Sequence, residues 1–213
     1  MVTPTAQTSL FDRWSAVYDR PRLQALTYRP IHDAVLRRLD GNSPSTIVDL
    51  GCGTGQLSAR LIERFPHATI AGIDFSAGML AEAAQRLSAD PSHPYALLRA
   101  DAEKLPLAPS SIDAVVCTES FHWYHHQAET LEGLAEVLRP DGRLIIASIA
   151  TLTSRAESLI RGITAPSGRT IRALAPHQMR RLLRQSGFEV LHQQRIPRVG
   201  AVPWPVLTDA RLL

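Results

Sequence analysis

An α/β fold, doubly wound around a mostly parallel seven-stranded sheet with helices on both faces, is what three features of the sequence predict. Runs of β-branched and apolar residues alternate with runs of helical period along the 213 residues. The first such run, TIVDL at residues 46–50, opens directly into a turn with glycine at alternate positions: Gly51, Gly53 and Gly55. The next run, residues 69–74, again ends in an acid, Asp74. In open α/β sheets, the carboxyl ends of the strands are where ligands bind.

Each element has its own signal. Residues 8–40 read as helical pieces interrupted at Pro21 and at Pro30, and a proline suits a first helical turn. Residues 41–45 turn the chain into the first strand at 46–50, and a helix follows over 56–65, stopped by Pro66. After the second strand at 69–74, Ser76 caps a helix to Leu87 in which Met79, Leu80, Ala83, Ala84 and Leu87 share one face. The third strand is short, at 95–99, and the fourth spans 112–117. A helix over 127–138 turns Leu131, Leu134 and Leu138 inward and stops at the turn signal Arg139-Pro140-Asp141-Gly142. Strand five at 144–149, a helix at 176–185 closed by Gly187 and strand six at 188–195 follow, with a short seventh strand at 204–208. The last strand is expected to be short or at an exposed edge, and Arg139 and Arg143 to stay on the surface.

Composition narrows the function classes. With 45% hydrophobic residues, one domain with a core that needs no staples is expected. No run approaches the roughly 18 apolar residues of a membrane span, and the start of the chain lacks the pattern of a signal peptide. Two cysteines, Cys52 and Cys117, make no disulfide framework, so a reducing cytoplasm is the expected location. The net charge of +3 does not announce a nucleic-acid binder. Positive charge is concentrated, however: residues 155–198 hold nine arginines against Glu157 and Glu189. That segment is read as a solvated surface, with attraction of an anionic substrate as the functional alternative.

The glycine turn excludes as much as it includes. Glycines spaced by two let the backbone turn sharply and let a ligand approach without meeting a Cβ atom. A dinucleotide fingerprint would need glycine at position 56, which is Gln56, and a P-loop would need a lysine that is absent here. The pattern Asp49-x-Gly51-x-Gly53-x-Gly55 instead resembles the motif of class I S-adenosylmethionine-dependent methyltransferases, which have a Rossmann-like fold.

Further blocks resemble that family in order. AGIDFS places Asp74 where the family binds the ribose hydroxyls, with Phe75 and Met79 packing the adenine. Asp101-Ala102 stands where the family reads the adenine edge. IDAVVCTESFHWYHH would bring Cys117, Thr118 and Glu119 to the sulfonium, and LAEVLRPDGRLIIAS matches the family's helix, turn and fifth strand. FDRWSAVYD resembles an N-terminal helix that folds over the cofactor, with Tyr18 near the methyl donor. The resemblance covers residues 11–148 and resumes at LLRQSGFEVL, and it is greatest for the small-molecule branch that includes quinone-biosynthesis, trans-aconitate and malonyl-thioester enzymes.

It implies one methyltransferase domain over residues 1–213, with a helical lid at 1–40, a cofactor-binding core at 46–149 and sheet-completing elements at 150–213. The cofactor-binding set is Asp49, Gly51, Cys52, Gly53, Gly55, Gln56, Asp74, Phe75, Met79, Asp101, Ala102 and Thr118, for S-adenosyl-L-methionine. The catalytic candidates are His122, Glu119 and Tyr18, with His122 as the base if the acceptor must lose a proton. His122, His125 and His126 lack a partner pattern for a metal, so none is expected. Cys117 reads as a packing residue. The expected acceptor is a small molecule, in one reading anionic. The alternatives are an RNA or DNA methyltransferase, which the absence of a [DN]-P-P-[YF] block disfavours, and a non-catalytic cofactor-binding subunit.

Overall fold

A computed structural model describes residues 27–88, 93–151, 171–197 and 205–213. Tyr18, Trp204 and most of the expected N-terminal lid lie outside the described residues. Seven strands form one sheet in the order β3-β2-β1-β4-β5-β7-β6. They are β1 (Thr46–Leu50), β2 (Thr69–Asp74), β3 (Tyr95–Arg99), β4 (Ile112–Thr118), β5 (Leu138–Ile149), β6 (Phe188–Arg195) and β7 (Pro205–Leu212). β1 to β5 pair in parallel, whereas β7 runs antiparallel to both neighbours.

Side-chain alternation along the strands feeds two cores, because successive residues point to opposite faces. On one face Val48, Leu50, Val115, Cys117, Leu144 and Ile146 pack under α4 (Gln127–Val137) and α5 (Pro176–Gln185), through Leu131, Leu134, Met179 and Leu183. On the other, Ile47, Ile70, Val116, Ile145 and Leu207 pack under α1 (Arg29–Leu39) and α2 (Gln56–Arg64), through Ile31, Val35, Leu39 and Leu61. Leu87 of α3 (Ala77–Leu87) joins the same cluster. Both faces are covered, which is why β1 and β4 read as nearly unbroken apolar runs. Ser76 caps α3 by accepting the Met79 N–H at 3.1 Å. Gly187 follows α5 at φ 84°, the left-handed turn expected of it.

Two expectations are corrected. The seventh strand is neither short nor at an edge: it runs for eight residues between β5 and β6, and residues 205–210 are buried. Its polar sequence hid it, because Asp209 is buried in the sheet and satisfied from β5. Arg143 supplies that partner, holding Asp209 through Nε at 3.1 Å and Nη2 at 2.6 and 2.5 Å, so Arg143 is not a surface residue. The turn at residues 139–142 is real but lies inside β5. Ile112 faces Leu138 and Ala114 faces Arg143, which leaves the residues between out of the ladder.

Candidate functional site

The carboxyl ends of β1 to β4 bring most of the predicted residues to one edge of the sheet. After Leu50, the N–H groups of Gly51 and Cys52 donate to Ile73 O at 2.7 and 3.1 Å, which bends the loop toward β2. Gly51, Gly53 and Gly55 have φ of 72°, 54° and 75°, a region that L side chains rarely occupy. They are glycine for different reasons. A Cβ on Gly51 would come within 2.4 Å of Ser120 Oγ, and one on Gly55 within 3.0 Å of Ala83 Cβ. At Gly53 nothing lies closer than Met79 Sδ at 4.0 Å, so no protein contact requires glycine there. A Cβ at Gly53 would instead occupy space open to a ligand.

Two acids frame this loop. Asp49 is 1% exposed, and its Oδ2 accepts the Ser58 hydroxyl at 2.6 Å. Its Oδ1 is buried with no hydrogen-bond partner among the described residues. Burial, aided by the nearby Asp74 charge and opposed by Ser58, pushes the Asp49 carboxyl up to about 7. Asp74 closes β2, and its Oδ2 accepts the Gly53 N–H while Oδ1 accepts the Ser76 N–H, both at 2.9 Å. One carboxylate thus ties the glycine loop to the start of α3. Phe75 is half-buried beside it, Met79 is buried, and half-buried Gln56 opens α2.

Asp101 follows β3 and is exposed. Its Oδ1 accepts the Glu103 N–H at 3.0 Å, and Ala102 behind it is half-buried. Glu103 in turn clasps the start of α4: Oε1 accepts the His125 and His126 N–H groups at 2.7 and 3.0 Å, and Oε2 meets His126 Nδ1 at 2.6 Å. Burial works to raise the Glu103 carboxyl, but the hydrogen bonds from His126 and His125 outweigh it and hold the carboxyl below its usual range. The rings of His125 and His126 sit in exposed residues, as expected of a helix start.

Beyond Thr118, Glu119 takes φ 52° and donates its N–H to Ala147 O at 2.7 Å. A non-glycine residue held there stores strain of the kind that gathers at functional sites. The chain then forms a short 3-10 helix, Phe121–Trp123. Its His122 is 2% exposed, with Nδ1 at 3.0 Å from Ser148 Oγ and the ring 5.2 Å from that of Trp123. That is the setting of an oriented side chain more than of an open proton acceptor.

Sequence reasoning missed a polar node beneath the loop. Ser120 Oγ donates to Leu50 O at 3.1 Å, and it also lies 3.0 Å from Cys117 Sγ and 3.1 Å from Tyr124 OH. Its single proton goes to Leu50, so the thiol and the phenol donate to it. Burial pushes the Cys117 thiol up to about 11, which removes it as a nucleophile and agrees with its reading as a packing residue. Cys117, Ser120 and Tyr124 are close in sequence, but Leu50, which takes the Ser120 proton, is brought in only by the fold.

The set fits a nucleotide-like cofactor: an open Gly53, an acid at the end of β2 tied to the glycine loop, and an orphaned buried carboxylate oxygen. Two surface hollows, of about 390 Å³ along α5 and 280 Å³ at the opposite sheet edge near Asp113, touch none of the predicted site residues. Among the described residues no group of three His, Cys, Asp or Glu side chains is placed to hold a metal ion. No helix among them is long and apolar enough to cross a membrane.

Residues 47–142 match a family model described as "Methyltransferase domain". The chain is 33% identical over 148 residues to the malonyl-[acyl-carrier protein] O-methyltransferase of Methylovorus sp. (strain MP688), covering 65% of this chain and 48% of that protein. It is 36% identical over 135 residues to the trans-aconitate 2-methyltransferase of Methylobacterium nodulans, covering 63% and 50%. The chain therefore spans about half the length of the curated relatives it matches. Among solved structures, the N-methyltransferase NodS of Bradyrhizobium japonicum in complex with S-adenosyl-L-homocysteine superposes with a TM-score of 0.77 at 19% identity, covering 98% of this chain and 99% of that one. At that identity the likeness speaks for the fold, which is the seven-stranded α/β architecture the sequence predicts.

Proposed function

We propose, on the premise that residues 47–142 are a methyltransferase domain, that the chain transfers a methyl group from S-adenosyl-L-methionine to an oxygen of a small-molecule acceptor. The observation that carries this reading is the glycine loop itself, open at Gly53 and tied by its N–H to the Asp74 carboxylate at 2.9 Å. When bound, S-adenosylmethionine supplies an activated methyl group, whose bond to sulfur breaks as the acceptor oxygen's electron pair forms the new carbon–oxygen bond, leaving a neutral thioether.

The chain's own residues then position and desolvate. Asp74, which already holds the Gly53 and Ser76 N–H groups, accepts the ribose hydroxyls as charge-assisted hydrogen bonds. Asp101 and the Ala102 N–H recognise the adenine edge, with Phe75 and Met79 against its face. Gly51, Cys52, Gly53, Gly55 and Gln56 provide the backbone cradle, and Asp49 beneath it offers a carboxylate to cationic parts of the ligand. Thr118, Glu119 and His122 form the acceptor side of this proposed site.

The malonyl relatives, named as O-methyltransferases, support an oxygen acceptor. A carboxylate oxygen has no proton to lose, so no base is required. His122, held by Ser148 and Trp123, then acts by orientation. Holding the reactants in line supplies on the order of 7–11 kcal/mol of the barrier, the main task left to the protein.

Calorimetry with S-adenosylmethionine, S-adenosylhomocysteine and NADH tests the assignment. Binding of both sulfur compounds without NADH supports it, and binding of NADH alone overturns it.

A further inference from the structure

We propose that Arg172 is the anion-binding residue of the acceptor site, and that the acceptor presents a carboxylate to it; this rests on the reading of the site as a methyl-transfer centre. The backbone of Arg172 is fixed at two points beside the acceptor-side elements. Its N–H donates to His122 O at 2.8 Å. Its carbonyl accepts Gln127 Nε2 at 2.9 Å, and the same amide donates to Phe121 O at 3.0 Å. The following residue, Ala173, accepts the Thr151 hydroxyl at 3.4 Å. Arg172 is thereby clamped between the 3-10 helix after β4 and the end of β5, where the acceptor must approach.

The side chain is unlike the structural arginines of this fold. Arg60, Arg64, Arg139, Arg143 and Arg211 each hold an aspartate or glutamate. Arg60 Nη1 and Arg211 Nε are also buried without a hydrogen-bond partner, but those guanidiniums are ion-paired through another nitrogen. Arg172 is half-buried, its Nε is buried without a partner, and it has no ion pair among the described residues. A buried guanidinium N–H left unpaired is unfavourable, and native structures retain such groups where something outside the chain completes them. A planar fork of N–H donors matches a carboxylate through two parallel hydrogen bonds, which fixes orientation as well as position. Among the anions a methyl acceptor can carry, a carboxylate fits both this fork and the base-free chemistry above.

The test is calorimetry at fixed ionic strength, with and without saturating S-adenosylhomocysteine. Malonate and trans-aconitate are the probes, malonamide is the uncharged control, and inorganic phosphate is the competing anion. Wild type is expected to bind the carboxylates and not malonamide. R172Q should weaken carboxylate binding by at least about tenfold, with R172K restoring it only in part because an ammonium lacks the fork. Affinity for S-adenosylhomocysteine should be the same in all three proteins. Equal carboxylate affinity in R172Q, phosphate bound more tightly than either carboxylate, or no carboxylate binding by wild type overturns the proposal. If S-adenosylhomocysteine fails to bind wild type, the methyl-transfer reading falls, while carboxylate binding measured without it still decides the role of Arg172.

Discussion

The Asp74 carboxylate accepts the Gly53 N–H at 2.9 Å, so the acid that ends β2 holds the middle of the glycine loop that follows β1. Loop and acid are one unit, and the glycines beside it divide their work in a way mutations can separate. Gly51→Ala drives a Cβ to 2.4 Å from Ser120 Oγ at φ 72°, and is expected to destabilise the fold by about 2–4 kcal/mol. Adding Ser120→Ala should relieve the clash but not the backbone strain. Gly53→Ala meets no atom closer than Met79 Sδ at 4.0 Å and should lower stability by only about 1–2 kcal/mol, yet weaken S-adenosylmethionine binding about tenfold or more. Denaturation and calorimetry on the three variants check the contrast; equal losses of affinity from Gly51→Ala/Ser120→Ala and Gly53→Ala would remove it.

His32 gives the fold an acid-sensitive point. It lies buried on α1, and burial, reinforced by the Arg60 charge and opposed by Asp33, lowers it from 6.5 to about 4. Between those values the unfolded chain binds a proton that the folded chain refuses, so this contribution is present above pH 6.5 and is lost as pH falls toward 4. Its size is on the order of 3 kcal/mol. In His32→Gln the fall in stability between pH 6.5 and 4, followed by urea denaturation, should be visibly shallower than in wild type.

Asp49 titrates in the opposite sense, because its folded value of about 7 lies above its ordinary 3.8. Its contribution to stability is present below pH 3.8 and lost as pH rises toward 7. A cationic ligand beside it favours the ionised form. Binding of S-adenosylmethionine near pH 6.5 should therefore release protons, detected as a binding enthalpy that varies with the ionisation heat of the buffer. Asp49→Asn should abolish that variation; its persistence would place the proton elsewhere.

Asp209 carries the seventh strand. It is 1% exposed and depends on Arg143, so Asp209→Ala leaves a largely buried guanidinium unpaired and should cost about 3–5 kcal/mol. Replacing both partners with leucine should recover much of this, as thermal denaturation would show. A double variant no more stable than Asp209→Ala would mean that the pair does more than satisfy itself.

The same pair explains what the sequence hid. β1 to β4, and the helices that follow β1, β2 and the 3-10 turn, were legible because residues such as Val48 and Leu134 on one face of the sheet, and Val116 and Leu61 on the other, sit at the spacing of their element and are buried. The strand expected at 204–208 stops short of Asp209 and Arg211, whose partners, Arg143 and Glu189, come from neighbouring strands. Of the site, the glycine loop and Asp49 were readable from spacing, and Asp74 and the block ending in His122 from the family resemblance. Ser120, Ser148 and Arg172 were not, since each acquires its role from partners 26 or more residues away in sequence.

Asp74 ties the loop, and in the proposed function the same carboxylate binds the ribose. Its most direct test is the affinity of Asp74→Ala for S-adenosylmethionine, measured by calorimetry beside wild type. The account predicts a loss of about tenfold or more, the scale of charge-assisted hydrogen bonds to a carboxylate. An unchanged affinity would contradict it.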